Sequence, residues 1–228
     1  MLVVCVAVIF SLGSMCQTAP VSQTCETLLK PLEMKTIDPL IGKWSIIASS
    51  NNQPGAGTVV GLFMDNIWSD MSPGTHPDML KDTLYMKTWD GRCSSYNLNM
   101  TLENNKLSWT YVVPSSAVFL PTCPDCLLTR TSTIIHGNTY SSLEFTSKRR
   151  ELSASDLLQF KTQVDCLNLP AAVFLNTKTE HCPESTEPLP EMEDIYNKTI
   201  ALMETDIFKF FLRATDYLIK KADWVGWL

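Results

Sequence analysis

Between Gly42 and Ser147 the chain repeats one pattern: short runs of β-type residues, several alternating apolar with polar, separated by turn chemistry, with no helical period among them. The runs cover residues 42–48, 58–69, 83–90, 93–102, 107–113, 117–120, 126–135 and 139–147. The breakers are the polar stretch 49–55, the Pro-Gly stretch 72–77, Asp90-Gly91, Asn104-Asn105, Pro114 and His136-Gly137-Asn138. In the first run Trp44, Ile46 and Ala48 share one face. The second is apolar on both faces and reads as one long strand. Eight strands joined by short turns predict an all-β fold, an up-and-down antiparallel barrel with room for one small ligand. The 49–55 loop would hang over its mouth.

The sequon Asn99-Met100-Thr101 supplies parity. A glycan on Asn99 must face water, so Tyr96, Leu98, Met100 and Leu102 face inward, and these are the apolar residues. In the next run Leu107, Trp109, Tyr111 and Val113 share a side. Tyr96, Leu98, Met100, Trp109 and Tyr111 are therefore candidate ligand contacts. Arg130, if inward, would meet an anionic head group; Glu144, if inward, would meet an amine or a guanidinium.

After the last run the period changes. Ser153 with Asp156 begins a helix, and Leu157, Phe160, Val164 and Leu167 form its apolar stripe, which docks on the outside of the barrel. Pro170 stops it, and residues 173–175 are a short extended piece. Residues 183–194 form an acidic, proline-rich linker. Residues 195–228 have an amphipathic helical period, with Ile200, Met203, Ile207 and Phe211 opposite Asp206, Lys209 and Arg213. With Trp224 and Trp227 near its end, this helix suits a lipid or lipoprotein surface, or folds back on the barrel. The chain thus divides into a signal peptide (1–16), a barrel domain (17–182), the linker (183–194) and the helix (195–228).

Residues 2–12 are almost wholly apolar but too few to span a bilayer, which marks an export signal. Beyond it remain Cys25, Cys93, Cys123, Cys126, Cys166 and Cys182, an even set suited to an oxidising compartment. The sequons at Asn99 and Asn197 fit a secreted glycoprotein. A net charge of −6 argues against nucleic acid as a partner. His76, His136 and His181 lack metal-ligand spacing, and no Ser/His/Asp arrangement stands out, so neither metal, cofactor nor catalysis is expected. Cys123-Pro124-Asp125-Cys126 leaves three readings: a local disulfide, a redox pair, or half a zinc site.

Gly42-Lys43-Trp44, the basic cluster Lys148-Arg149-Arg150 and the helix 157–167 carrying Cys166 resemble the lipocalins, in particular their alpha-1-acid glycoprotein branch. Apolipoprotein M and the fish saxitoxin- and tetrodotoxin-binding proteins are similar. The resemblance implies that Trp44 plugs the closed end of the barrel, with a basic side chain, Arg149, lying over the indole. It implies the bridges Cys25–Cys166 and Cys93–Cys182, and leaves Cys123–Cys126 as a local pair. It implies a secreted, monomeric carrier of a small, largely apolar ligand such as a lipid, a drug-like amine or a toxin. One lipocalin branch is an isomerase that uses a free thiol, whereas here every cysteine beyond the leader has a plausible partner.

Overall fold

A computed structural model of the protein describes residues 24–111, 113–188 and 205. The strands are β1 (Gly42–Asn51), β2 (Met64–Pro73), β3 (Met79–Thr88), β4 (Cys93–Glu103), β5 (Lys106–Thr110), β6 (Pro114–Leu120), β7 (Cys126–Ile135) and β8 (Asn138–Ser147). Each pairs antiparallel with the next, and β1 pairs with both β2 and β8, so the ring closes and leaves no long open edge. Asn104-Asn105 and His136-Gly137 form the two tightest turns. All four residues have positive φ, which two-residue hairpin loops require.

Residues 58–69 are not one strand. A helix, α2 (Ala56–Phe63), precedes β2, which continues through Pro73 and so absorbs part of the expected break. A run that is apolar on every side has no period to separate helix from strand. Ala48 also departs from expectation. The register against β8 slips between Ile46 and Ala48, and this bulge moves Ala48 to the outer wall, beside Phe145 and Phe160.

The helix α3 (Ala154–Cys166) starts in a full capping box, Ser153 with Asp156. Its Phe160 and Val164 cover the outward Leu143 and Phe145 of β8, with the Phe145 and Phe160 rings 5.2 Å apart. Fully buried Gln163 donates to the carbonyls of Leu28 and Pro121, holding the N-terminal lead and the β6–β7 loop to the same helix. The short β9 (Val173–Phe174) then pairs with β1 above the point where β2 leaves it.

Among the described residues three disulfides complete the frame. Cys25–Cys166 ties the short helix α1 (Cys25–Leu28) to the end of α3. Cys93–Cys182 pins the post-barrel segment to β4. Cys123–Cys126 closes the β6–β7 loop. Asn99 is exposed on the outer face of β4. The expected leader 1–16, residues 189–194 of the linker, and the 195–228 helix with Asn197 lie outside the described residues, apart from Thr205.

Candidate ligand-binding cup

One end of the barrel is stoppered. Trp44 is buried among Leu80, Met100, Leu102, Leu107 and Phe119, and its Nε1 donates to the Leu40 carbonyl at 2.7 Å. That carbonyl belongs to the 3-10 turn Asp38–Leu40, which crosses beneath the barrel. Gly42 has φ of +121°, a conformation side chains resist, and a Cβ there would lie 4.0 Å from the Lys148 Nζ. The glycine thus serves the backbone turn, and beside it stands Lys148, whose Nζ lies 4.6 Å from the Trp44 ring centroid.

The cation over the indole is therefore Lys148, not Arg149. Alternation along β8 explains the change: position 148 follows the inward residues 142, 144 and 146, while position 149 points outward. Arg149 instead pairs with Asp125 at 2.5 Å and with the capping residue Asp156 at 3.3 Å.

Register fixes which side chains face the interior, because residues paired across strands share a face. Trp44 pairs with Ser69, Ser69 with Leu84 and Leu84 with Tyr96. Ser49 pairs with Glu144, Glu144 with Thr129 and Thr129 with Phe119. Burial along these inward rows is graded. At the floor Ile46, Leu80, Met100, Leu107, Phe119 and Leu127 are buried. Higher up, Ser49, Leu84, Tyr96, Trp109, Thr129 and Glu144 are only half-buried. The inward rows are thus fully buried at the floor end and only partly covered toward the other.

Two carboxylates face this interior. Asp82, on the inward row of β3, is buried, and its pKa is pushed up to about 7. Burial is the main cause, and the nearby charges of Glu144 and Asp70 add to it. Among the described residues neither Asp82 Oδ1 nor Ser69 Oγ has a hydrogen-bond partner. Glu144, three strands away around the ring, is likewise raised by burial to about 7. Burial, then Asp82 and Glu144, drives the Tyr96 phenol upward. Among the described residues no inward-facing strand position is Lys, Arg or His. Above the floor the inward rows mix apolar Leu84, Met86 and Trp109 with the hydroxyls of Ser49, Thr129, Thr131, Thr133 and Ser142, and the two acids stand among them.

The residues singled out in the sequence fall into three groups. Tyr96 and Trp109 face the cup, and Tyr111 stands at its rim, 6.0 Å from Tyr96 and 46% exposed. Met100 faces inward but belongs to the packed floor, and Leu98 and Trp109, both half-buried, pack against that floor. Arg130 pairs with Val118 and Leu143 on the outward row and is exposed, so it is not a ligand contact. Asp82 was missed, although its signal was present: it shares parity with Leu80, Leu84 and Met86, a lone acid in an apolar row.

No family model matches the chain, and no curated protein sequence does. Solved structures do. The chain is similar to lipocalin 12 from rat epididymis, with TM-score 0.58 and 9% identity, over 72% of this chain and 99% of that one. It is similar to the siderocalin Ex-FABP, with TM-score 0.56 and 16% identity, over 64% and 99%. It is also similar to an odorant-binding protein, with TM-score 0.53 and 14% identity, over 66% and 97%. At these identities the likeness is one of fold, and the fold is that of the lipocalins.

Proposed function

We propose that this protein is a secreted carrier that holds a small, largely apolar guest with a cationic head inside the barrel. The observation that carries the reading is the pair of inward-facing carboxylates, buried Asp82 and half-buried Glu144, on a barrel face without an inward base among the described residues. An apolar guest body would remove the half-buried surfaces of Leu84, Tyr96 and Trp109 from water. A protonated amine or guanidinium would partner carboxylates that otherwise bear the cost of burial alone. The fold supports a carrier, since an odorant-binding protein and a siderocalin of dual ligand specificities share it. Disulfides at all six described cysteines suit an extracellular site and leave no free thiol among the described residues for isomerase chemistry.

Native mass spectrometry of the secreted protein tests this directly. A retained small molecule carrying a basic nitrogen is the expected result. A retained fatty acid or other anion would contradict the charge assignment, and binding that survives filling the cup by Ser49→Trp would contradict the location.

A further inference from the structure

A second cleft, of about 360 Å³, lies on the outer surface at the floor end, away from the cup. It forms where the segment after β9 crosses the outer face of β1 and β2, held there by Cys93–Cys182 and by Trp68 Nε1, which donates to the Cys182 carbonyl at 3.0 Å. Its wall is aromatic: Trp68 is stacked on Tyr85 at 4.1 Å and on His181 at 5.8 Å. Its charge is cationic. Lys43 is neutralised locally, paired with Glu184 and influenced by Asp70. Lys148 and Arg150 have no carboxylate partner among the described residues; the first stands over Trp44, and the second reaches only the Thr179 carbonyl at 3.5 Å. Lys87 adds a further positive charge nearby, bound to the Glu180 carbonyl at 2.9 Å. His181 registers the resulting field: burial, then Arg150 and Lys87, push its pKa down. The Ser45 hydroxyl, 3.4 Å from His181 Nε2, completes a set of donors.

We propose that this cleft binds a tetrahedral oxyanion, phosphate or sulfate, free or carried as an ester, between Lys148, Arg150, Ser45 and His181. Two uncompensated cations and a hydroxyl beside an imidazole are the donor set such a group accepts from. The cleft exceeds a bare anion in volume, so an organic substituent has room against the indoles. The site is independent of the guest in the cup, and both can be filled at once.

The test titrates the full chain with inorganic phosphate, and separately with phenyl phosphate, at fixed ionic strength. Tryptophan fluorescence and the His181 ring signals in NMR are followed. Saturable binding that raises the His181 pKa is expected, since an anion favours the imidazolium. Arg150→Gln should weaken it about tenfold, roughly the loss of one charge-assisted contact, while binding of a cationic dye in the cup stays unchanged. Tighter phenyl phosphate would identify the ester as the ligand, and equal affinities the free anion. A response that does not saturate, that chloride reproduces, or that Arg150→Gln leaves intact would overturn the proposal.

Discussion

At the scale of single residues, Asp82 and Glu144 would hold the cationic head of the proposed guest. Asp82→Asn and Glu144→Gln should each weaken a hydrophobic ammonium probe by about tenfold, which is near 1.4 kcal/mol; fluorescence titration reads this. Proton linkage gives the pH profile. Both acids are held near 7, above their ordinary values of 3.8 and 4.5. A cation needs them ionised, so its affinity should fall as pH drops below about 7, with proton uptake on release. The empty protein behaves in the opposite sense. Acids with raised folded-state pKa favour folding at low pH, and that contribution is lost as pH rises from about 4 through 7. The double variant Asp82→Asn/Glu144→Gln should therefore gain about 1–3 kcal/mol over the natural protein at pH 8, a gain absent at pH 4. Denaturant melts at the two values measure it, and an equal difference at both would contradict the linkage.

At the scale of elements, the floor and the staples can be weighed against each other. Lys148→Met removes a partly exposed cation–π contact worth about 0.5–1 kcal/mol and should lower the melting temperature slightly. Trp44→Ala empties the floor itself and should cost about 3–5 kcal/mol. The bridges differ by the length of chain they close. Cys25–Cys166 spans 141 residues and Cys123–Cys126 spans 3. Replacing the first pair by serine should cost more than replacing the second, roughly 5 against roughly 2 kcal/mol in the chain-entropy account. Equal losses in thermal unfolding would mean that local packing, not loop closure, sets their worth. These elements also show what could be read from sequence. The sequon at Asn99 and the apolar alternation around it assign the inward row of β4, because both depend on the same period of two. The same period failed at Ala48, where one extra residue in the strand shifts everything after it, and in residues 58–63, where no polar side existed to mark a phase. Arg130 and Lys148 could be placed only by register, since a single charge on a strand does not state which way it points.

At the scale of the whole molecule, closure of the barrel does two things at once. It pairs the strands around the ring, and it separates an outer wall partly covered by α3 from an inner wall closed at the Trp44 end. The lower half spends its apolar residues on packing; the upper half leaves Leu84, Tyr96 and Trp109 incompletely covered. On the proposed reading, that division leaves room for a guest, and the acids in the wall set the sign of its charge. The central claim is tested by isothermal titration at pH 8 with two probes of matched apolar body, one bearing a quaternary ammonium and the other a sulfonate. The ammonium keeps its charge at every pH, so only the protein titrates. The account predicts saturable one-to-one binding of the ammonium, lost in Asp82→Asn/Glu144→Gln, and much weaker binding of the sulfonate. Equal affinity for both probes, or tighter binding of the sulfonate, would contradict it.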